Sequence, residues 1–377
     1  MLSLERFSSR IEVDRANGSV LVDGGVLLSS LNEELAKTGR MFPIDLGADP
    51  QIGGMVATNT GGSRLIRYGD VRESVLGIEV VLPTGEVFSD LKGLRKNNTG
   101  LDAKQLFVGT TGHFGIVTAA VLKTARIPAQ MAGAMVRLDS GPAVVALLAA
   151  VEARLPEFLS AFEVMSKGAI DAVLKHGSYD RDPFAGDAPT YSVLIEVQTV
   201  LPQETLDLEN VLGEVLMAAI EDDGIDGVED VIVGEVRDFW HFRHQISESL
   251  REEGQVLGLD VSVPRSRMAA FTEGVTRAIQ ERCTEAQVCD FGHWGDGGSH
   301  LNLVLPVDLD PRRKGEIQEL VYRICVEDYS GSYSAEHCVG PHNRGAYERY
   351  TPNFVRRACA AIREGALGGA SFGTIEL

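Results

Sequence analysis

The residues best equipped for chemistry lie in two short segments late in the chain. The first runs from His293 through a glycine-rich turn to His300, Leu301 and Asn302; the second is Ser334-Ala335-Glu336-His337. Of the eight histidines in the sequence, three fall here. His293 and His300 can each turn a neutral imidazole nitrogen toward one cation, and Glu336 can add a carboxylate oxygen. His337, next in sequence, is then left to move a proton. Three protein ligands and an open position are the form of a catalytic metal centre, not of a closed structural one.

The elements that must position these groups can be read around them. After the turn the pattern predicts a strand over 301–305. Leu301, Leu303 and Leu305 share one face, and His300 and Asn302 share the other. A ligand and a hydrogen-bonding amide side by side suit a substrate that presents anionic oxygens. Upstream, a helix is predicted over 239–252, with Arg243 and Ser247 one turn apart on one face. Arg243 could clamp a carboxylate through two parallel N–H groups, or pair with Glu248 or an upstream acid. A strand over 257–263, ended by Pro264, follows. The five cysteines (Cys283, Cys289, Cys325, Cys338, Cys359) form no CxxC pair, which argues against a disulfide scaffold and a thiolate zinc site. Cys338 follows His337, but nothing in its surroundings is arranged to activate a thiolate.

The first third is organised by glycine. A hairpin is predicted around Asn17-Gly18 and a helix over 27–37, with Leu28, Leu31 and Leu35 at helical spacing. Two Gly-Gly pairs, Gly53-Gly54 and Gly61-Gly62, then flank a run of small residues. Glycines let a backbone approach a ligand closely, and free amides at a helix start suit a pyrophosphate. A second glycine-dense loop spans 109–115, with His113 read as a loop residue. Neither loop is the GxGxxG fingerprint of a nicotinamide fold. A boundary is predicted near Pro128. Beyond it come a strand at 136–138, a helix from Gly141 capped by Ser140, strands over 161–165 and 191–197 and a helix over 206–220. That order predicts an α+β layer with antiparallel pairing.

Composition narrows the classes. The chain has 377 residues, room for two cores, and a mean hydropathy of +0.01. No apolar run approaches the roughly 20 residues of a membrane span, and no signal-peptide layout opens the sequence, so a cytoplasmic location is expected. A net charge of −19 disfavours nucleic acid as a partner.

Taken in order, the segments resemble the FAD-dependent D-2-hydroxy-acid dehydrogenases of the vanillyl-alcohol-oxidase superfamily. The carrying residues are 52–62, 75–82, 104–109, 260–264, 292–297, 300–302 and 335–337. The resemblance implies an α+β chain: the C-terminal part of an FAD-binding domain over 1–127, then an α+β substrate-binding domain with an antiparallel sheet over 128–377. It implies flavin contacts from Gly47, Ile52, Gly53, Gly54, Ala57, Thr58, Asn59, Gly61, Gly62, Gly69, Gly112, Gly115, Ile116 and Val117. His293, His300 and Glu336 would hold zinc or manganese, Arg243, Ser247 and Asn302 would bind substrate, and His337 would be the base. The reaction implied is oxidation of a small D-2-hydroxy acid to the 2-oxo acid, with hydride passing to the flavin. Electrons would go on to a quinone, a cytochrome or an electron-transfer flavoprotein, and a homodimer is allowed.

Three departures go with it. Family members carry about a hundred residues more at the N-terminus, the size of half a domain. The FAD-binding domain is therefore expected to be shortened, and a fragment, a mis-assigned start and a half completed by another polypeptide all stay open. Gly258 stands where D-2-hydroxyglutarate dehydrogenases have a substrate-contacting lysine. Thr111, His113 and Gly298 replace the usual Glu, Thr and Asn. Two rival readings remain: a degenerate subunit that does not bind flavin alone, and a flavin-free metallohydrolase.

Overall fold

In the computed structural model, which describes residues 3–179, 183–221, 224–373 and 377, the chain divides into two units: Met1–Ile127 with Glu336–Leu377, and Pro128–Ala335. In the first, β1 (Ile11–Asp14) and β2 (Ser19–Asp23) form the expected hairpin, with Asp14 opposite Ser19 and Gly18 at φ 64° in the turn. With β3 (Val75–Val81), β4 (Val87–Asp90) and β5 (Ile116–Lys123) they make an antiparallel sheet of order β1-β2-β5-β3-β4. Its core gathers Val20, Val22, Ile78, Val80, Val117 and Leu122 against two helices, Leu28–Ala36 and Ile52–Thr58. Leu28, Leu31 and Leu35 are the buried stripe that their spacing predicts.

The second unit is one seven-stranded antiparallel sheet. Its strands are β6 (Gln130–Leu138), β7 (Leu159–Ser166), β8 (Tyr191–Thr199), β9 (Val228–Gly234), β10 (Gln255–Ser262), β11 (Gln287–Gly292) and β12 (Gly298–Leu305). The order is β9-β6-β8-β7-β11-β12-β10. Helices Lys167–His176, Val236–His244 and Ile246–Glu253 cover one face, burying Met135, Met165, Leu194 and Phe291 beneath Phe242 and Leu250. Helices Gly141–Arg154 and Leu208–Glu221 pack on the other. Among the described residues no helix is long and apolar enough to cross a membrane.

Three local features depart from expectation. The helix predicted over 239–252 is two helices that meet at Gln245, whose N–H turns back to the Phe242 carbonyl, an i−3 bond that tightens the chain there. Ser140 holds the N-cap position of its helix, but its hydroxyl makes no capping bond. The second domain was expected to run to residue 377, whereas the segment from Glu336 on lies with the first unit. There Leu367 enters the first core, with Cys359 and Ile362 packed against it.

Candidate active site

Period-two alternation sets the site's floor. On β12, Leu301, Leu303 and Leu305 are buried, while His300 and Asn302 stand half-buried on the opposite face. Register places Asp260 and Phe291 beside His300, and Gly258 and Cys289 beside Asn302. The Asn302 amide donates to the His300 carbonyl at 2.9 Å. β11 ends at Gly292, where φ is 135° and a Cβ would stand 3.1 Å from the His300 nitrogen. The turn that follows brings His293 back over His300. Their Nε2 atoms are 3.2 Å apart, with the rings tilted by 76°. Two nitrogens bound to a tetrahedral zinc at about 2.0–2.1 Å would lie roughly 3.3 Å apart. The pair therefore fits one cation.

Behind His293 lies a residue that sequence reasoning passed over. Glu163, on β7, is fully buried. Its Oε1 accepts from His293 Nδ1, and its Oε2 accepts from Arg243 Nε at 2.9 Å and pairs with Nη2 at 2.8 Å. Burial alone would raise its pKa. The charges of His293 and then Arg243 prevail and hold it at about 2. A carboxylate only accepts, so His293 must donate from Nδ1, and in the neutral ring that leaves the Nε2 lone pair for a metal. The available signal was a lone acid inside the apolar run 161–165.

Asp290 was missed for the same reason. It is buried and accepts from Trp294 Nε1 at 3.1 Å, Thr272 Oγ1 at 3.2 Å and Ser299 Oγ. Burial pushes its pKa up to about 6 against those three donors. It anchors the 293–299 turn at both ends.

The other expected residues are placed as follows. Arg243 is buried, its guanidinium 4.5 Å from the centre of the Phe291 ring. Its acid is Glu163, not Glu248. Ser247 is exposed on the next helix, so the two do not share a face as the single-helix reading predicted. Ser332 is bonded to Ser262 and the Ala335 amide to the Asp260 carbonyl, so the chain before Glu336 runs along β10. Within the first unit, a Cβ on Gly61 would stand 3.0 Å from Glu336 Oε1, so glycine leaves room for that carboxylate. His337 is exposed, and Cys338 donates its thiol hydrogen to the Thr58 carbonyl at 2.8 Å. Burial pushes the Cys289 and Cys325 thiols up to about 12, which makes both inert.

The first unit also holds a cavity of about 600 Å³, a size that suits a bound cofactor. Gly53, Gly54, Ala57, Gly112, Gly115, Ile116 and Val117 line it, joined by Thr111 and Phe372. The other expected flavin residues stand elsewhere in this unit. Ile52 is core, Asn59 bonds Asp70 and the Arg72 amide, and Thr58 bonds the Gly54 carbonyl. Gly62 and Gly69 take positive φ, and Gly47, like Gly61, does not line the cavity. The free helix-start amides expected here are partly spent: Ile52 N–H goes to Val26 and Gly53 N–H to Gly24.

Comparison with known proteins divides the chain near the same point, with the C-terminal match continuing past Glu336. The family described as FAD linked oxidases, C-terminal domain, matches residues 127–362, and the FAD binding domain matches residues 1–90. The D-2-hydroxyglutarate–pyruvate transhydrogenase of Saccharomyces cerevisiae is 30% identical, over 92% of this chain and 70% of its own length. The mitochondrial D-2-hydroxyglutarate dehydrogenase of Arabidopsis thaliana is 34% identical, over 88% of this chain and 58% of its own. That of Danio rerio is 32% identical, over 91% and 63%. The chain thus spans about three fifths of the length of these two dehydrogenases. In fold it resembles the 4-ethylphenol oxidase of Gulosibacter chungangensis, with a TM-score of 0.69, 18% identity, and 97% of this chain and 77% of that one covered. It also resembles p-cresol methylhydroxylase, with a TM-score of 0.65, 14% identity, and 97% and 76% covered.

Proposed function

The chain belongs to the FAD-linked oxidases, and on that premise we propose that it oxidises a D-2-hydroxy acid to the 2-oxo acid with the help of a divalent cation. The observation that carries the reading is the His293–His300 pair, with Nε2 atoms 3.2 Å apart on the face that also bears Asn302. His293 and His300 would hold the cation, with Glu336 as the third ligand that the resemblance implies. The glycine-lined cavity of the first unit would receive the flavin. When bound, FAD supplies the two-electron acceptor and the cation supplies positive charge beside the substrate's oxygens. Asn302 and the unspent edge of Arg243 would orient the substrate carboxylate. His337 would take the 2-hydroxyl proton.

Gly258 bears on the acid. It lies directly across from Asn302 and contributes no cation. This favours a small monocarboxylate such as D-lactate over D-2-hydroxyglutarate, the substrate in the relatives' names. Mitochondrial relatives lend no support to the cytoplasmic expectation, and a mitochondrial location is the alternative they suggest.

The test is the visible spectrum of the purified chain with FAD, before and after anaerobic addition of D-lactate or D-2-hydroxyglutarate. Bleaching, faster with D-lactate, is expected. His337→Ala should keep the flavin and lose the bleaching, and unchanged bleaching would remove His337 as the base. Failure of the chain to bind FAD at all favours the degenerate-subunit reading.

A further inference from the structure

Glu163 divides its two oxygens between partners on different elements. Oε2 takes both N–H groups offered by Arg243, from the helix Val236–His244. Oε1 is left for Nδ1 of His293, from the turn after β11. A carboxylate needed only to neutralise Arg243 would not have to be shared in this way. β7 is also an inner strand of the sheet, paired on both sides by β8 and β11. The partner of His293 therefore sits on a strand that is hydrogen-bonded on both sides.

We propose that Glu163 is the positioning residue of the cation site: it sets the tautomer and ring orientation of His293 so that Nε2 faces the ion, and Arg243 holds Glu163 in place. The proposal rests on the cation reading given above. Its physical basis is general. A ligating imidazole whose other N–H donates to a carboxylate is held in one tautomer and made more basic, and loss of that partner weakens metal binding by roughly 10- to 100-fold. The Nε2 atom of His300 faces that of His293.

The experiment is a cobalt(II) titration of the metal-stripped full chain, followed by the visible ligand-field bands and checked by zinc competition against a chelator. The wild-type chain should take up one equivalent. Glu163→Gln, nearly the same shape but neutral, should bind roughly 10- to 100-fold more weakly, with its tryptophan-monitored unfolding still cooperative. Glu163→Asp, which restores the charge, should recover part of the loss. Equal binding by wild type and Glu163→Gln would overturn the positioning role and leave the cation reading standing. No cobalt uptake by the wild type would overturn both. Should Glu163→Gln not fold, the wild-type chain decides. Its long-range ¹H–¹⁵N histidine spectrum, assigned with His293→Asn, should show the metal-free His293 ring protonated at Nδ1. A ring protonated only at Nε2 overturns the proposal.

Discussion

Asp290 shows how a single buried group can set a pH dependence. Its ordinary pKa of 3.8 rises to about 6 on folding, because burial outweighs three hydrogen bonds. Below 3.8 the group is protonated in both states. Between 3.8 and about 6 the folded chain keeps a proton that the unfolded chain has lost, so stability falls as pH rises through that window, by about 3 kcal/mol in all. Glu163 works in the opposite sense: held at about 2 against an ordinary 4.5, it stabilises above 4.5 and loses that contribution as pH falls toward 2. Asp290→Asn removes only the first effect. Urea unfolding of variant and wild type should show the variant gaining about 3 kcal/mol on the wild type between about pH 4 and about pH 7. A gap that stays constant would show that Asp290 does not carry the proton. The site was legible in part for a physical reason. His300 and Asn302 follow from alternation, which is local. Glu163 meets Arg243 80 residues and His293 130 residues further along, and no local pattern records such pairings.

The glycines of the helix Ile52–Thr58 divide into two kinds that look alike in sequence. A Cβ on Gly53 would meet the Val117 carbonyl at 2.8 Å and the Gly24 carbonyl at 2.9 Å, so glycine is required there to seat the helix on the sheet. Gly115 is alike, with Val80 Cγ1 at 2.2 Å. Gly54 meets nothing within 4 Å and faces the cavity. Gly53→Ala should therefore cost about 1–3 kcal/mol of first-unit stability, the usual penalty of overpacking. Gly54→Ala should keep or raise stability by up to about 1 kcal/mol, since alanine is the better helix former, while weakening FAD binding. Far-UV melts and flavin titration separate the two, and a Gly54→Ala chain that binds FAD as tightly as wild type would remove the cavity as the flavin site. Gly53 lines the cavity as well, so in one residue the missing Cβ serves packing as much as access to a ligand. The break at Gln245 was invisible for a related reason. Phe239, Phe242, Ile246 and Leu250 keep a helical spacing across it, and a single i−3 bond at Gln245 leaves no mark on that spacing.

At the scale of the whole chain, the boundary at Pro128 was legible because the glycine-turn pattern gives way there to alternating strands and helices. The return of Glu336–Leu377 to the first unit was not. An amphipathic helix such as Asn353–Ala366 shows that it has an apolar face, but not which core will cover it. This division provides a probe. The only tryptophans, Trp240 and Trp294, are both buried in the second unit, which also holds the ligand candidates His293 and His300. Tryptophan fluorescence therefore reports the unfolding of the unit that would hold the histidine pair. A cation that binds only the folded chain, supplied at about 100 times its dissociation constant, adds about 2.7 kcal/mol. Zinc should accordingly raise the fluorescence-detected free energy of unfolding by that amount, seen as a higher urea midpoint. His300→Ala should abolish the shift, because one imidazole alone does not make the site. If zinc binds with one-to-one stoichiometry and the fluorescence midpoint stays where it was, the cation sits elsewhere and the His293–His300 pair is only a hydrogen bond.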